Sequence, residues 1–114
     1  DLPESSPDFG ENIAAYYYWI FPGLMLNFYP WGLSVNIVNP ISVNKTQIIY
    51  HGFVGNKSLL GKGAGGDLDK VELEDQDIVE ATQRGVSSNS YDRGRYSPSK
   101  EKGVHHFHKI LTDL

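Results

Sequence analysis

The chain has 114 residues, enough for one sheet and one or two helices around a single core and too few for two domains. With 39% hydrophobic and 21% charged residues, and seven Tyr, five Phe and two Trp to bury, its composition is ordinarily globular. A net charge of −4, with ten Lys and Arg that form no basic stripe, argues against nucleic acid as a partner, and zero cysteines exclude disulfides, a thiolate zinc site and an iron–sulfur cluster held by this chain alone. Residues 1–12, with Pro3, Pro7 and Gly10, lack an apolar period and read as a loop. Strand-like sequence follows so soon after Asp1 that the expectation is a segment of a larger protein entered midway. The longest apolar stretch, Ile13 to Leu26, is broken by Pro22 and Gly23 and is too short to span a bilayer, so no membrane is expected as a partner and a cytoplasmic location is.

Ala15 to Phe21 and Leu24 to Tyr29 are rich in β-forming rings and are separated by Pro22-Gly23, a dipeptide suited to a turn. Leu33, Val35 and Ile37 then alternate with Ser34 and Asn36, and after Asn39-Pro40 the run Lys45 to Val54 alternates again. Four short strands in sequence predict an antiparallel meander. Gly61, Gly63, Gly65 and Gly66 predict a flexible connector; the stretch KGAGGD lacks the spacing and the terminal Lys-Ser/Thr of a phosphate loop. Asp67 is placed to cap a helix over Leu68 to Arg84, with Gly85 as its stop. Residues 86–103 predict an irregular surface excursion, and Val104 to Leu111 a short last helix. The fold class is therefore α+β, an antiparallel sheet packed by a long helix.

At about 100° per residue, Leu68, Val71, Ile78, Val79 and Thr82 share one stripe of the predicted helix, and Asp75 lies near its middle. Glu74, Asp77 and Glu80 project to the sides or back, where charge belongs on an amphipathic helix. A carboxylate facing inward needs a cation, a metal or hydrogen-bond donors. Two readings stand: an acid at the helix edge, solvated or paired with Arg84 or Arg95, and a metal ligand.

The wider sequence bears on that choice. The segment EDQDIVEATQRGVSSNSYDRGRYSPSKEKGVHHFHKIL, Glu74 to Leu111, resembles the C-terminal stretch of Rieske non-heme iron (aromatic ring-hydroxylating) oxygenase alpha subunits, especially the branch with choline and glycine betaine monooxygenases. The upstream YYYWIFPGLMLNFYPWGLSVNIV, Tyr16 to Val38, looks like the sheet of the same catalytic domain. The resemblance implies that residues 1–114 are the C-terminal part of a helix-grip, START-like catalytic domain. In that family electrons pass from a [2Fe–2S] Rieske cluster to a mononuclear Fe(II) held by two His and one carboxylate. By motif position Asp75 is the carboxylate. No His pair about four residues apart precedes Asp75, and the Rieske Cys and His ligands are missing as well. The implied partners are an upstream Rieske and catalytic segment, a reductase using NAD(P)H, and a small organic substrate, either an aromatic ring or a quaternary amine. Like its relatives, the complete enzyme would assemble as a homotrimer. The chain alone is expected to be inactive.

Other constellations carry weaker readings. His105, His106 and His108 are the only histidine cluster, but helical spacing lets at most two of them converge on one ion, with Glu101 the only acid in reach. The rings from Tyr16 to Trp31 could wall a pocket for a quaternary ammonium group, although strand alternation sends half of them to the opposite face and core packing is the plainer reading. Arg84, Arg93 and Arg95 could pair with acids of another domain or subunit, or lie solvated. Two rivals to an oxygenase remain: a non-catalytic module in which sheet and helix enclose a small molecule without iron, and a truncated product that is never active.

Overall fold

A computed structural model describes residues 2–114, the side chain of residue 69 excepted. Strands β1 (Tyr16–Ile20), β2 (Leu24–Tyr29), β3 (Gly32–Ser42) and β4 (Lys45–Val54) precede a 3₁₀ turn at Lys57–Leu59 and the helices α1 (Leu68–Val86) and α2 (Lys102–Thr112). The four strands form one antiparallel sheet in the order β1-β2-β3-β4, the meander that the alternation predicts. With two helices following, the architecture is α+β.

β3 runs further than its sequence suggests, through Asn39-Pro40 to Ser42. Pairing with β2 ends at Leu24↔Ile37, so Pro40 lies beyond it and pairs only with Thr46 of β4, next to a bulge between Pro40 and Ser42. A proline lacks the N–H of a ladder residue and is tolerated where one side of a strand is open.

Register decides which rings meet. Tyr16↔Phe28, Tyr18↔Leu26 and Ile20↔Leu24 put one set of β1 side chains beside the β2 set that continues into Leu33, Val35 and Ile37. Tyr17, Trp19, Met25, Tyr29, Ser34 and Tyr50 take the other face. The ring contacts between β1 and β2 are diagonal: Tyr18 meets Phe28 edge-on at 5.9 Å and Tyr17 meets Tyr29 edge-on at 5.9 Å. Each such pair contributes about 0.2–1 kcal/mol. On the first face Tyr18, Ile20, Phe28, Ile49 and Phe53 remain exposed.

The buried centre is Trp31, 3% exposed, in the two-residue turn between β2 and β3. Its carbonyl accepts from the N–H groups of Gly55 (2.9 Å) and Asn56 (3.0 Å), and its indole Nε1 donates to the Gly65 carbonyl at 3.0 Å. One face of the indole stacks on Tyr29 at 5.5 Å. The glycine-rich connector is consequently not loose: Gly65 takes φ +72°, and a Cβ there would stand 2.6 Å from Tyr29 Cδ1. Only glycine satisfies both the left-handed backbone and the close approach.

The chain divides into two units, residues 1–72 and 73–114. In the first, the N-terminal loop is tied down by the Tyr16 hydroxyl, which donates to Asp8 Oδ2 at 2.7 Å. α1 opens after Asp67, whose carbonyl accepts from the Val71 N–H at 3.2 Å, as expected of the residue preceding a helix. In the second unit α1 continues one residue past Gly85, which does not adopt positive φ and so does not serve as the stop. The end is closed instead by Ser87 N–H to Gln83 O (3.0 Å) and by the Ser88 hydroxyl to Gly85 O (2.7 Å). α2 begins two residues earlier than predicted, at Lys102.

Candidate functional site

Asp75 sits in the middle of α1, and its side chain is exposed. The stripe around it is open too: Val71 is 48%, Ile78 63% and Val79 64% exposed, while Leu68 is half-buried. Burial therefore supplies no argument that Asp75 needs a partner. The stripe is amphipathic in sequence. Arg84, one proposed partner, lies 3.9 Å from Glu80 one helical turn earlier, with both side chains exposed. Arg93 stands 3.4 Å from its neighbour Asp92, again in solvent. Such pairs contribute about 0–1 kcal/mol. Among the described residues no group of three or more His, Cys, Asp or Glu is gathered to hold a metal ion.

The histidines of α2 are organised around a tyrosine. The Tyr96 hydroxyl is hydrogen-bonded to His108 Nδ1, and the Tyr96 ring meets His105 edge-on at 5.0 Å. Residues three apart on a helix are neighbours, so His105 and His108 flank one ring. Glu101, the one acid considered for this cluster, turns away and accepts the Ser97 N–H at 2.5 Å.

The other face of the sheet carries a groove of ≈ 480 Å³, roofed by the glycine connector and the first turn of α1. Trp31, Ser34, Tyr50, Asp67 and Glu72 line it. Its width follows from missing side chains: Gly52 lies in its floor, where a Cβ would meet nothing within 4 Å, and Gly61, Gly65 and Gly66 border it. Beneath it the Tyr29 hydroxyl is pushed up to about 12, first by burial, then by a hydrogen bond with Tyr17, by that residue's charge and by the charge of Glu72. Tyr16 is also raised, by its hydrogen bond to Asp8 before any other cause. Sequence reading missed Tyr50 and Glu72, because neither belongs to a motif and only strand register and the connector bring them to Trp31.

A four-stranded antiparallel meander followed by two helices defines an α+β fold. Residues 2–114 match the family described as ring hydroxylating alpha subunit, catalytic domain, and the chain belongs to that family. It is 34% identical over 102 residues to the chloroplastic choline monooxygenase of Arabidopsis thaliana, covering 85% of this chain and 24% of that protein. Against the enzyme of the same name from Spinacia oleracea the identity is 32% over 102 residues, with 84% and 23% covered. Against that from Beta vulgaris it is 30% over 104 residues, with 87% and 23% covered. The chain thus spans about a quarter of the length of these curated relatives. No solved structure matches it. Among the described residues no helix is long and apolar enough to cross a membrane.

Proposed function

We propose that residues 1–114 form the C-terminal part of the catalytic domain of a Rieske-type oxygenase that inserts oxygen from O₂ into a small organic substrate. The observation that carries this is the family match along residues 2–114. Asp75 is the proposed carboxylate ligand, supported by its motif position and not by burial. A hard carboxylate oxygen suits Fe(II), and Asp75 is sterically available to an ion. The donor set is incomplete in this chain, so two His and the [2Fe–2S] cluster are assigned to the rest of the protein. When bound, a two-His-one-carboxylate iron supplies oxygen activation at its open positions. The share of this chain is to present the carboxylate on a helix that holds its backbone, and to line part of a substrate pocket with its sheet. Of the two substrate classes, the quaternary amine is favoured by the names of the plant relatives, choline monooxygenases. A reductase drawing on NAD(P)H and trimeric assembly belong to the same proposal. So does the compartment, for which the sequence suggests cytoplasm while the names of the plant relatives say chloroplast.

The test uses the complete protein. Asp75→Ala abolishes oxygenation and lowers mononuclear iron content while leaving the Rieske absorption intact; Asp75→Asn fails nearly as badly, since a neutral amide is a poorer Fe(II) ligand. Asp77→Ala, exposed on the same helix, keeps most activity and shifts stability by no more than about 0.5 kcal/mol. Normal turnover and iron content in Asp75→Ala, or equal damage from Asp77→Ala, refutes the assignment.

A further inference from the structure

We propose that Trp31, Tyr29 and Tyr17 form a relay that carries an oxidising equivalent from the wall of the groove to the solvent-exposed edge of the sheet. Trp31 lines the groove and is 3% exposed, whereas Tyr17, on the edge strand β1, is 67% exposed. Between them Tyr29 stacks on the indole at 5.5 Å, 15° from parallel, and meets Tyr17 edge-on at 5.9 Å. Indole and phenol are side chains that one-electron oxidants attack, and rings in contact exchange an electron far faster than rings held apart. Core packing explains ring contact, but not an unbroken row of oxidisable rings leading from the protein interior into water. The row Tyr16, Tyr18, Phe28 on the opposite face ends instead in phenylalanine, which is much harder to oxidise.

The hydrogen bonds decide where the charge comes to rest. The Trp31 Nε1–H donates to the Gly65 carbonyl at 3.0 Å, and an amide oxygen accepts a hydrogen bond without being basic enough to take the proton. An oxidised indole there stays a radical cation and draws an electron from the stacked Tyr29. Burial and a hydrogen bond with Tyr17 hold the Tyr29 proton, so Tyr29 passes the charge on and does not keep it. Tyr17 stands in water, which takes its phenol proton. The balance is one electron: an oxygen-derived one-electron oxidant in the groove is reduced, the Tyr17 O–H bond breaks to leave a neutral phenoxyl radical, and the proton goes to solvent. A soluble thiol then returns a hydrogen atom to Tyr17. That such an oxidant arises rests on the oxygenase reading; that the three rings conduct does not.

The chain has no cysteine, so Leu60→Cys, in the groove wall, accepts a single ruthenium polypyridyl photo-oxidant. A laser flash with a sacrificial electron acceptor generates the oxidant in place, and transient absorbance with EPR follows the product. A tyrosyl radical is expected; Tyr29→Phe slows its formation at least about tenfold, and Tyr17→Phe removes it. Tyr16→Phe, on the opposite face, leaves the signal unchanged. Each variant loses only a hydroxyl, and an unchanged far-UV spectrum confirms its fold. A radical that survives Tyr17→Phe, an unaltered rate in Tyr29→Phe, or an indole radical that accumulates in place of the tyrosyl overturns the relay. Because light supplies the oxidant, the relay can fail while the iron assignment of Asp75 stands, and the Asp75 test can fail while the relay stands.

Discussion

Replacing Gly65 by alanine isolates the contact that fastens the glycine connector to the sheet. At φ +72° an L residue costs about 1–2 kcal/mol. Reduced freedom of the unfolded chain returns about 0.4–1 kcal/mol of that. The new Cβ would also lie 2.6–2.8 Å from Cδ1, Cγ and Cε1 of Tyr29, all in one rigid ring, so either ring or connector must move. Movement loosens the Trp31–Gly65 hydrogen bond, a contribution of about 0.5–1.5 kcal/mol, and the Tyr29–Trp31 stack, a further 0.5–1.5 or so. The net loss is about 2–4 kcal/mol. Gly63 provides the control, since it has φ +63° and open space around a Cβ, and Gly63→Ala should lose only about 1 kcal/mol. Urea unfolding followed by tryptophan fluorescence measures both. If the two variants agree within about 0.5 kcal/mol, the close approach to Tyr29 contributes nothing and the account of the pinned connector is wrong.

Two further outcomes follow from particular groups. Tyr29 is raised to about 12 in the folded chain against 10.0 unfolded, so its contribution to stability is complete below pH 10 and is lost as pH rises toward 12. Tyr29→Phe should flatten that alkaline decline, and absorbance at 295 nm should lose the latest-titrating tyrosine of the wild type. In the second unit Tyr96→Phe removes the hydrogen bond to His108 Nδ1 and should cost about 0.5–1.5 kcal/mol locally. Amide exchange in α2 reads this change, and unaltered protection there would show that the bond contributes nothing.

The sheet was legible because its signals are local: the ring runs, the Pro22-Gly23 break and the alternation after Leu33 each mark a strand without help from distant residues. The extension of β3 through Pro40 was not, since it depends on β2 ending at Leu24, a matter of register and not of the proline itself. Core packing was the plainer reading of the rings from Tyr16 to Trp31, and Trp31 is the most buried of them, but what its indole meets was not legible, because the carbonyl it finds lies 34 positions away. The groove was illegible for the same reason: Tyr50, Gly52 and Glu72 meet only after strands pair and the connector folds back. Asp75 stood out twice in the sequence, by helical register and by motif. The exposed side chains of Val71, Ile78 and Val79 lend the first signal no support from burial, and the assignment of Asp75 rests on the second.

The meander also sets an order of assembly. Its connections, residues 21–23, 30–31 and 43–44, are so short that each strand finds its partner next to it in the chain. Loop closure costs little at such separations, and hairpins form on a scale of about 1–10 μs. The sheet can therefore zip strand by strand as the polypeptide leaves the ribosome, with nothing held in waiting. The long reach from Trp31 to Gly65 is different in kind. It cannot form until some three dozen further residues have been made, so docking of the glycine connector is the closing step of the first unit.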